Sequence, residues 1–353
     1  MKIFTCTILG LLLLLASQTI AQNLIAVQNG NAPKFFTDLT DAITNAQSKD
    51  TIYIPGYVFS VPSGNSGFFL DKELHFIGVG YHPDSTLSTG FTQINGNIFL
   101  GNGTSYGSIE GIYHNGVIYF SEKGNPSMVT SFCIKRNNLN SIAFVSDNTI
   151  HYTKNSITEN VIRGSISGSD PGVQNNLISN NIIVGQIMGL GYNNQIKNNI
   201  FIGNYSSIDN LNGCLLENNI FQKTGPNVFG INNCTFKSNL SPTSMFVGFN
   251  AGFNYLGTNV FTSNIIESFD EIFVNYPVTT SEFNYGFDFH IKPTSLGKNA
   301  GRDGTDIGIY GGAFPWKEGS IPANPHFQRI NISPKTDNCG NLNVKIKVAA
   351  QDN

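Results

Sequence analysis

The middle of this chain repeats itself every 20 residues or so, and that period constrains the fold more than any other feature. Aligned on Asn160, Asn181, Asn199, Asn219, Asn239 and Asn264, the units are spaced by 21, 18, 20, 20 and 25 residues. One position further lie Val161, Ile182, Ile200, Ile220, Leu240 and Ile265, all aliphatic. Three positions before the anchor lie Ile157, Ile178, Ile196, Leu216, Phe236 and Phe261, all apolar. Five before it lie Asn155, Asn176, Asn194, Cys214, Cys234 and Asn259. Helical repeats need longer units and a 3.6-residue rhythm, and leucine-rich repeats need leucines at fixed offsets; neither is present. What remains is a coil of short strands joined by corners, each coil stacked on the last.

Successive coils of such a solenoid sit about 4.8 Å apart, so each register becomes a ladder along the axis. The aliphatic registers are expected to point inward and stack into one core. The Asn registers are expected to mark corners, with the anchors themselves in the left-handed conformation that Asn tolerates. Their stacked amides can bond from coil to coil. Cys214 and Cys234 share a register one coil apart and read as stacked, reduced thiols, with a bridge left open as the alternative. Parallel strands are expected through about residues 50 to 292.

The ends fit the same plan. Leu39, Ala42, Ile43 and Ala46 recur at helical spacing behind Thr37 or Asp38 as N-cap, a short helix suited to plugging the first coil. Thr51 to Ile54 reads as the first strand. Residues 313–353 form a Pro-punctuated appendage in which Asn341 to Ala350 alternates like an exposed strand. At the other end, Lys2 and the apolar run Ile8 to Ala16 read as a signal peptide over residues 1–21, cleaved after Thr19-Ile20-Ala21, and too short for a membrane span. An exported chain follows, extracellular, at the cell surface or periplasmic, with residues 22–312 as the coil and its cap.

Composition narrows the partners. Charged residues make up only 12% of the chain, and losing Lys2 takes the formal net charge from −3 to −4, so no basic field draws in nucleic acid or an anionic membrane. The 40% hydrophobic content, with 27 Phe and 13 Tyr, argues against disorder. An extracellular polysaccharide or a cell-surface protein is the expected partner.

Three stretches carry a resemblance. They are Phe36-Thr37-Asp38-Leu39 with Asp50 to Gly56, the coils Ile196 to Phe201 and Leu216 to Phe221, and Asp288 to Pro293 with Gly304 to Gly312. Together they resemble secreted bacterial proteins of the right-handed parallel β-helix, or pectin-lyase-like, class, over about residues 35 to 312. The resemblance implies an all-β, right-handed solenoid with an N-terminal capping helix. It leaves activity open, because this class hosts lyases, hydrolases and adhesins. Its enzymes carry their chemistry on residues projecting outward from neighbouring coils. A lyase needs a basic residue and usually carboxylates around a cation such as calcium. A hydrolase needs two carboxylates across the glycosidic bond.

Three charged residues share an outward register: Lys197, Glu217 and Lys237, each two before an anchor. They are the candidate catalytic strip. The competing reading is a surface ladder of alternating charge, open and wet, whose ion pairs are worth little. With one carboxylate the strip offers no cation cage, and no metal is expected. Glu159, Arg163 and Asp170, with His151 nearby, read as solvated surface. Asp303 and Asp306 read as turn residues, and His290 and His326 lack metal-ligand partners at useful spacing. A carbohydrate-associated or surface-binding role is therefore the leading expectation, with lyase or hydrolase as the alternative.

Overall fold

The structure is a computed structural model that describes residues 23–30, 32–122, 125–145, 151–169, 171–203, 207–222, 228–242, 258–277 and 280–350. Residues 1–21, expected to be a signal peptide, and Asp170 lie outside the described residues. The chain forms a parallel β-solenoid of about 8 turns, mostly β with 7% helix. Among the described residues no helix is long and apolar enough to cross a membrane.

Each coil contributes strands to three faces. The first face holds the residues before the anchor, such as Ser156–Thr158, Leu177–Ser179, Gln195–Lys197 and Leu215–Glu217, paired in parallel with no slip. The second face begins one residue after the anchor, with Val161–Ile162, Ile182–Ile183 and Ile200–Phe201. A third face follows, with strands such as Ile166–Ser167 and Ile187–Leu190. Parallel pairing ends at Ile265–Ile266, short of the expected limit near residue 292. Beyond it Phe273–Asn275 and Asp288–Ile291 pair antiparallel, because the chain has left the coil and turned back along its outside.

The two residues between the first and second faces make the sharp corner. The left-handed residue is the one before the anchor: Glu159, Asn180, Asn198 and Asn218 have φ of 56°, 56°, 53° and 57°. No anchor Asn is among the positive-φ residues, so the expectation that the anchors bend the chain is corrected. The same rule holds one corner earlier, where Asn175 and Asn193 carry φ of 54° and 60° before Asn176 and Asn194. The anchors do a different job. A sharp corner breaks the strand ladder and strands its backbone N–H groups, which are costly to bury unpaired. Asn219 Oδ1 accepts from both the backbone N–H and the Nδ2 of Asn199, at 2.9 and 3.0 Å. Asn219 Nδ2 donates back to Ile196 O at 2.8 Å. This pattern runs unbroken from Asn137 to Asn264, adding Asn137 as a rung before the six aligned ones.

Packing divides into two stripes. The lumen is filled by the register three before the anchor and the register two after it: Ile157, Ile178, Ile196 and Leu216 face Ile162, Ile183, Phe201 and Phe221. The helix Leu39–Asn45 closes one end with Leu39, Ala42 and Ile43 buried, and Asp38 Oδ1 caps it by accepting from Thr40 and Asp41 N–H. The register one after the anchor is buried but lies outside the lumen, which corrects the expectation of a single inner core. Side chains alternate along a strand, so Val161, Ile182, Ile200, Ile220 and Leu240 face away from Ile162 and its equivalents. Residues 267–277 and 280–312 cover them as a roof, with Phe289, Ile291, Ile307 and Ile309 in the same cluster.

The left-handed Asn residues hold that roof. Asn180 Nδ2 donates to Ile309 O and Gly311 O at 2.8 and 2.7 Å, and Asn218 Oδ1 accepts from Arg302 N–H at 3.1 Å. Gly308 lies so close, at φ 95°, that a Cβ there would stand 2.7 Å from Ile220 Cδ1. The appendage first lies against the coil through the turn Glu318–Ser320, then ends in an antiparallel hairpin, His326–Ile332 with Val344–Ala349.

This division of labour is testable by denaturant titration. Asn219→Ala orphans the corner donors of Asn199 and should cost about 2 to 4 kcal/mol. Asn175, exposed and left-handed, should accept Gly within about 0.5 kcal/mol but lose about 1 to 2 kcal/mol as Val. Equal, small effects at both registers would contradict the assignment.

Candidate functional site

The outward strip forms as a ladder: Lys197, Glu217 and Lys237 are direct cross-strand neighbours on the first face. Lys197 Nζ lies 3.4 Å from Glu217 Oε1, and Arg302 of the roof reaches Glu217 Oε2 at 3.1 Å. Glu217 is only 7% exposed, so the expected open, wet ladder is corrected at its centre, where the roof edge covers it. Lys237 has no ion-pair partner among the described residues. Beside the strip runs a shallow groove of about 430 Å³ lined by Asn193, Gln195 and Thr235 together with both lysines. The strip's single carboxylate, Glu217, is already paired with two cations, a donor set that does not fit a calcium cage.

The second charged group separates into unrelated places. Glu159 is 2% exposed, not solvated: it bonds Arg136 Nε at 2.9 Å, and Arg136 is itself fully buried. Glu110 lies 3.5 Å from the same guanidinium and accepts Ala323 N–H at 2.9 Å. The cluster clamps the chain beyond the roof onto the coil. His151 stays exposed beside Gln174. Asp303 and Asp306 do shape turns, accepting Thr305 and Asn299 N–H at 3.1 and 3.0 Å. His290 stacks on Tyr310 at 3.7 Å and bonds Asp288 at 2.7 Å; His326 is buried against Ser85 O. Among the described residues no group of three or more His, Cys, Asp or Glu could hold a metal. Cys214 and Cys234 are free, buried thiols on adjacent coils. Cys214 has its pKa pushed up by the hydrogen bond it shares with Cys234 and by burial.

A more complete site lies where the roofed stripe ends. Along the second face the outward column reads Ile182, Val161, Asn138, Tyr113 toward the N-terminus, so apolar residues give way to polar and aromatic ones. The roof no longer seals there. A cleft of about 350 Å³ opens between Tyr113, Asn138, Arg163 and Val184 on the coil and Glu282, Phe283 and Tyr285 above them. That volume falls at the small end of ligand sites, about 300 to 1,000 Å³.

Arg163 holds the floor. Its guanidinium stands 4.4 Å from the Tyr113 ring centroid and donates to Tyr113 Oη and His114 O, each at 2.7 Å. Its Nε is buried with no hydrogen-bond partner among the described residues. Asn138 is 2% exposed; its Nδ2 donates to Tyr285 Oη at 3.1 Å, and its Oδ1 has no partner among the described residues. Reversing the amide only moves the vacancy to nitrogen. Phe283 meets Tyr285 edge-on at 5.2 Å, and His82 meets it at 5.0 Å. Burial pushes the Tyr285 phenol up and the His82 imidazole down in pKa, so both stay neutral at pH 7. By contrast, the outward stack Phe69–Phe99–Tyr119, with centroids 5.0 Å apart, spends both faces of Phe99 on its neighbours.

The aligned repeat missed this cleft because it began at Asn160. One coil earlier, Asn137 is followed by Asn138 where every later coil has an aliphatic residue, and that break marks the place. Phe283 and Tyr285 come from a stretch without a register and carry no such signal. No protein-family model, curated protein or solved structure matches the chain.

Two outcomes check the electrostatics. Glu159→Ala removes the closer of the two carboxylates that balance the buried Arg136, leaving Glu110 at 3.5 Å, and should cost about 2 to 4 kcal/mol. Below the cleft, His114 is fully buried, donates through Nε2 to Gly96 O, and is held down to a pKa of about 4 by burial. The unfolded chain binds this proton near pH 6.5 and the folded one near 4, so the stability is complete above pH 6.5. It is lost as pH falls toward 4, by about 3 kcal/mol in all. His114→Gln should flatten the slope of stability between pH 6.5 and 4; an unchanged slope would contradict the assignment.

Proposed function

We propose that the chain is an exported, right-handed β-helix of the pectin-lyase-like class that binds an extracellular glycan in the cleft beneath Phe283 and Tyr285. The observation that carries this reading is a buried amide, Asn138, with one heteroatom unpaired in an aromatic-walled cleft beside an arginine whose Nε is also unpaired. A pyranose ring offers an apolar C–H face and a rim of hydroxyls that both donate and accept. Tyr113 and Phe283 supply walls for the first; Asn138, Arg163 and Glu282 supply partners for the second. The Lys2 to Ala16 segment supports export, and the low charge content disfavours nucleic acid as the ligand. Binding rather than cleavage is favoured because neither the strip nor the cleft brings two carboxylates together.

A panel of acidic and neutral polysaccharides in affinity electrophoresis tests the reading. The native protein should be retarded by at least one glycan. Phe283→Ala, whose change lies in the roof and not in the coil, should weaken retention at least tenfold, about 1.4 kcal/mol, with the circular dichroism unchanged. No retardation by any glycan, or equal retardation of the variant, would contradict it.

A further inference from the structure

The C-terminal hairpin, independent of the cleft, has an uncovered apolar face. Its register places Ile330 opposite Ile346, Ile332 opposite Val344 and Phe327 opposite Val348, all on one side. These six side chains are 41% to 56% exposed. Arg329 opposite Lys347, and Asn331 opposite Lys345, occupy the other side. The hairpin touches the coil at its base, where His326 is buried and Gln328 Nε2 donates to Asp84 O at 3.4 Å. From there the ribbon projects free on both faces.

A lone two-stranded ribbon is marginal in water, and one with a bare apolar side is a ready interface. We infer that this face pairs with the same face of a second copy of the chain, making a two-layer sandwich of two hairpins. Three features fit that occupant. The face carries no charge and no polar side chain, so it asks only for another apolar surface of equal length, which an identical hairpin supplies. Arg329, Lys345 and Lys347 all point the other way and stay in water, so no like charges are brought together. The six residues are each about half exposed, so burying this face in two copies removes at most on the order of 1,000 Å², the lower limit of a specific interface. A two-fold axis lets one patch serve as both halves of the contact.

Sedimentation equilibrium of the purified chain up to about 100 µM, with reductant present to keep the exposed Cys339 from cross-linking, tests this. The native chain should run at twice its mass. The double variant Ile330→Lys, Ile346→Lys should run as a monomer, with dissociation shifted more than tenfold. The control Lys345→Gln, Lys347→Gln, on the opposite face, should stay dimeric. A native monomer throughout the range would overturn the inference. So would a dimer that survives the apolar double variant, one that is lost only in the lysine variant, or a monomer that adsorbs to phosphatidylcholine–phosphatidylglycerol vesicles.

Discussion

The structure depends on how a corner is made. A flat coil of short parallel strands must turn sharply between faces, and each turn removes backbone donors from the ladder that would otherwise satisfy them. Here two adjacent residues divide the problem. The first takes the left-handed conformation and bends the chain; the second, an asparagine, lends its amide to the corner of the coil before it. Because every rung both accepts from one neighbour and donates back to it, the coils are locked in register along the whole ladder. A one-residue slip would bury a donor with nothing to meet it.

That register then decides what lies outside. With the corner fixed, the residue after the anchor must point away from the lumen, and its aliphatic identity from Val161 to Leu240 creates a hydrophobic stripe on the outer wall. The roof of residues 267–277 and 280–312 exists to cover it. The same left-handed Asn residues that turn the chain also present their amides to the roof backbone, so corner and cover are specified together. Where the stripe turns polar, at Asn138 and Tyr113, the cover lifts and leaves the cleft. The candidate site is thus the boundary of a packing interface, and it needs no separate domain.

Much of this was legible in the sequence. The period, the Asn ladder, the inner register of Ile157 to Phe236 and the capping helix follow from spacing alone. Three features did not follow. The register of Val161 and Ile182 is buried on both readings, and hydrophobicity cannot say which side of a two-residue strand faces the lumen. Asn occupies both corner sites in several coils, so the sequence does not say which of the two is left-handed; Arg136, Glu159 and Ser238 at the earlier site are left-handed too, and the first two are held there by their buried ion pair rather than by the corner. Glu159 reads as solvated in the sequence, yet it is buried, because its partner Arg136 sits one coil away, ahead of the first aligned repeat.

The amide ladder is the element that fixes the corners. Hydrogen exchange measures it directly, because the corner N–H groups of Asn181, Asn199 and Asn219 have no backbone acceptor and are protected only if the next asparagine side chain holds them. These amides should exchange as slowly as the central strands, opening only with global unfolding. Exchange at loop-like rates, while the N–H groups of Ile200 and Ile220 remain protected, would show that the strands alone hold the coil and that the asparagines are ornament.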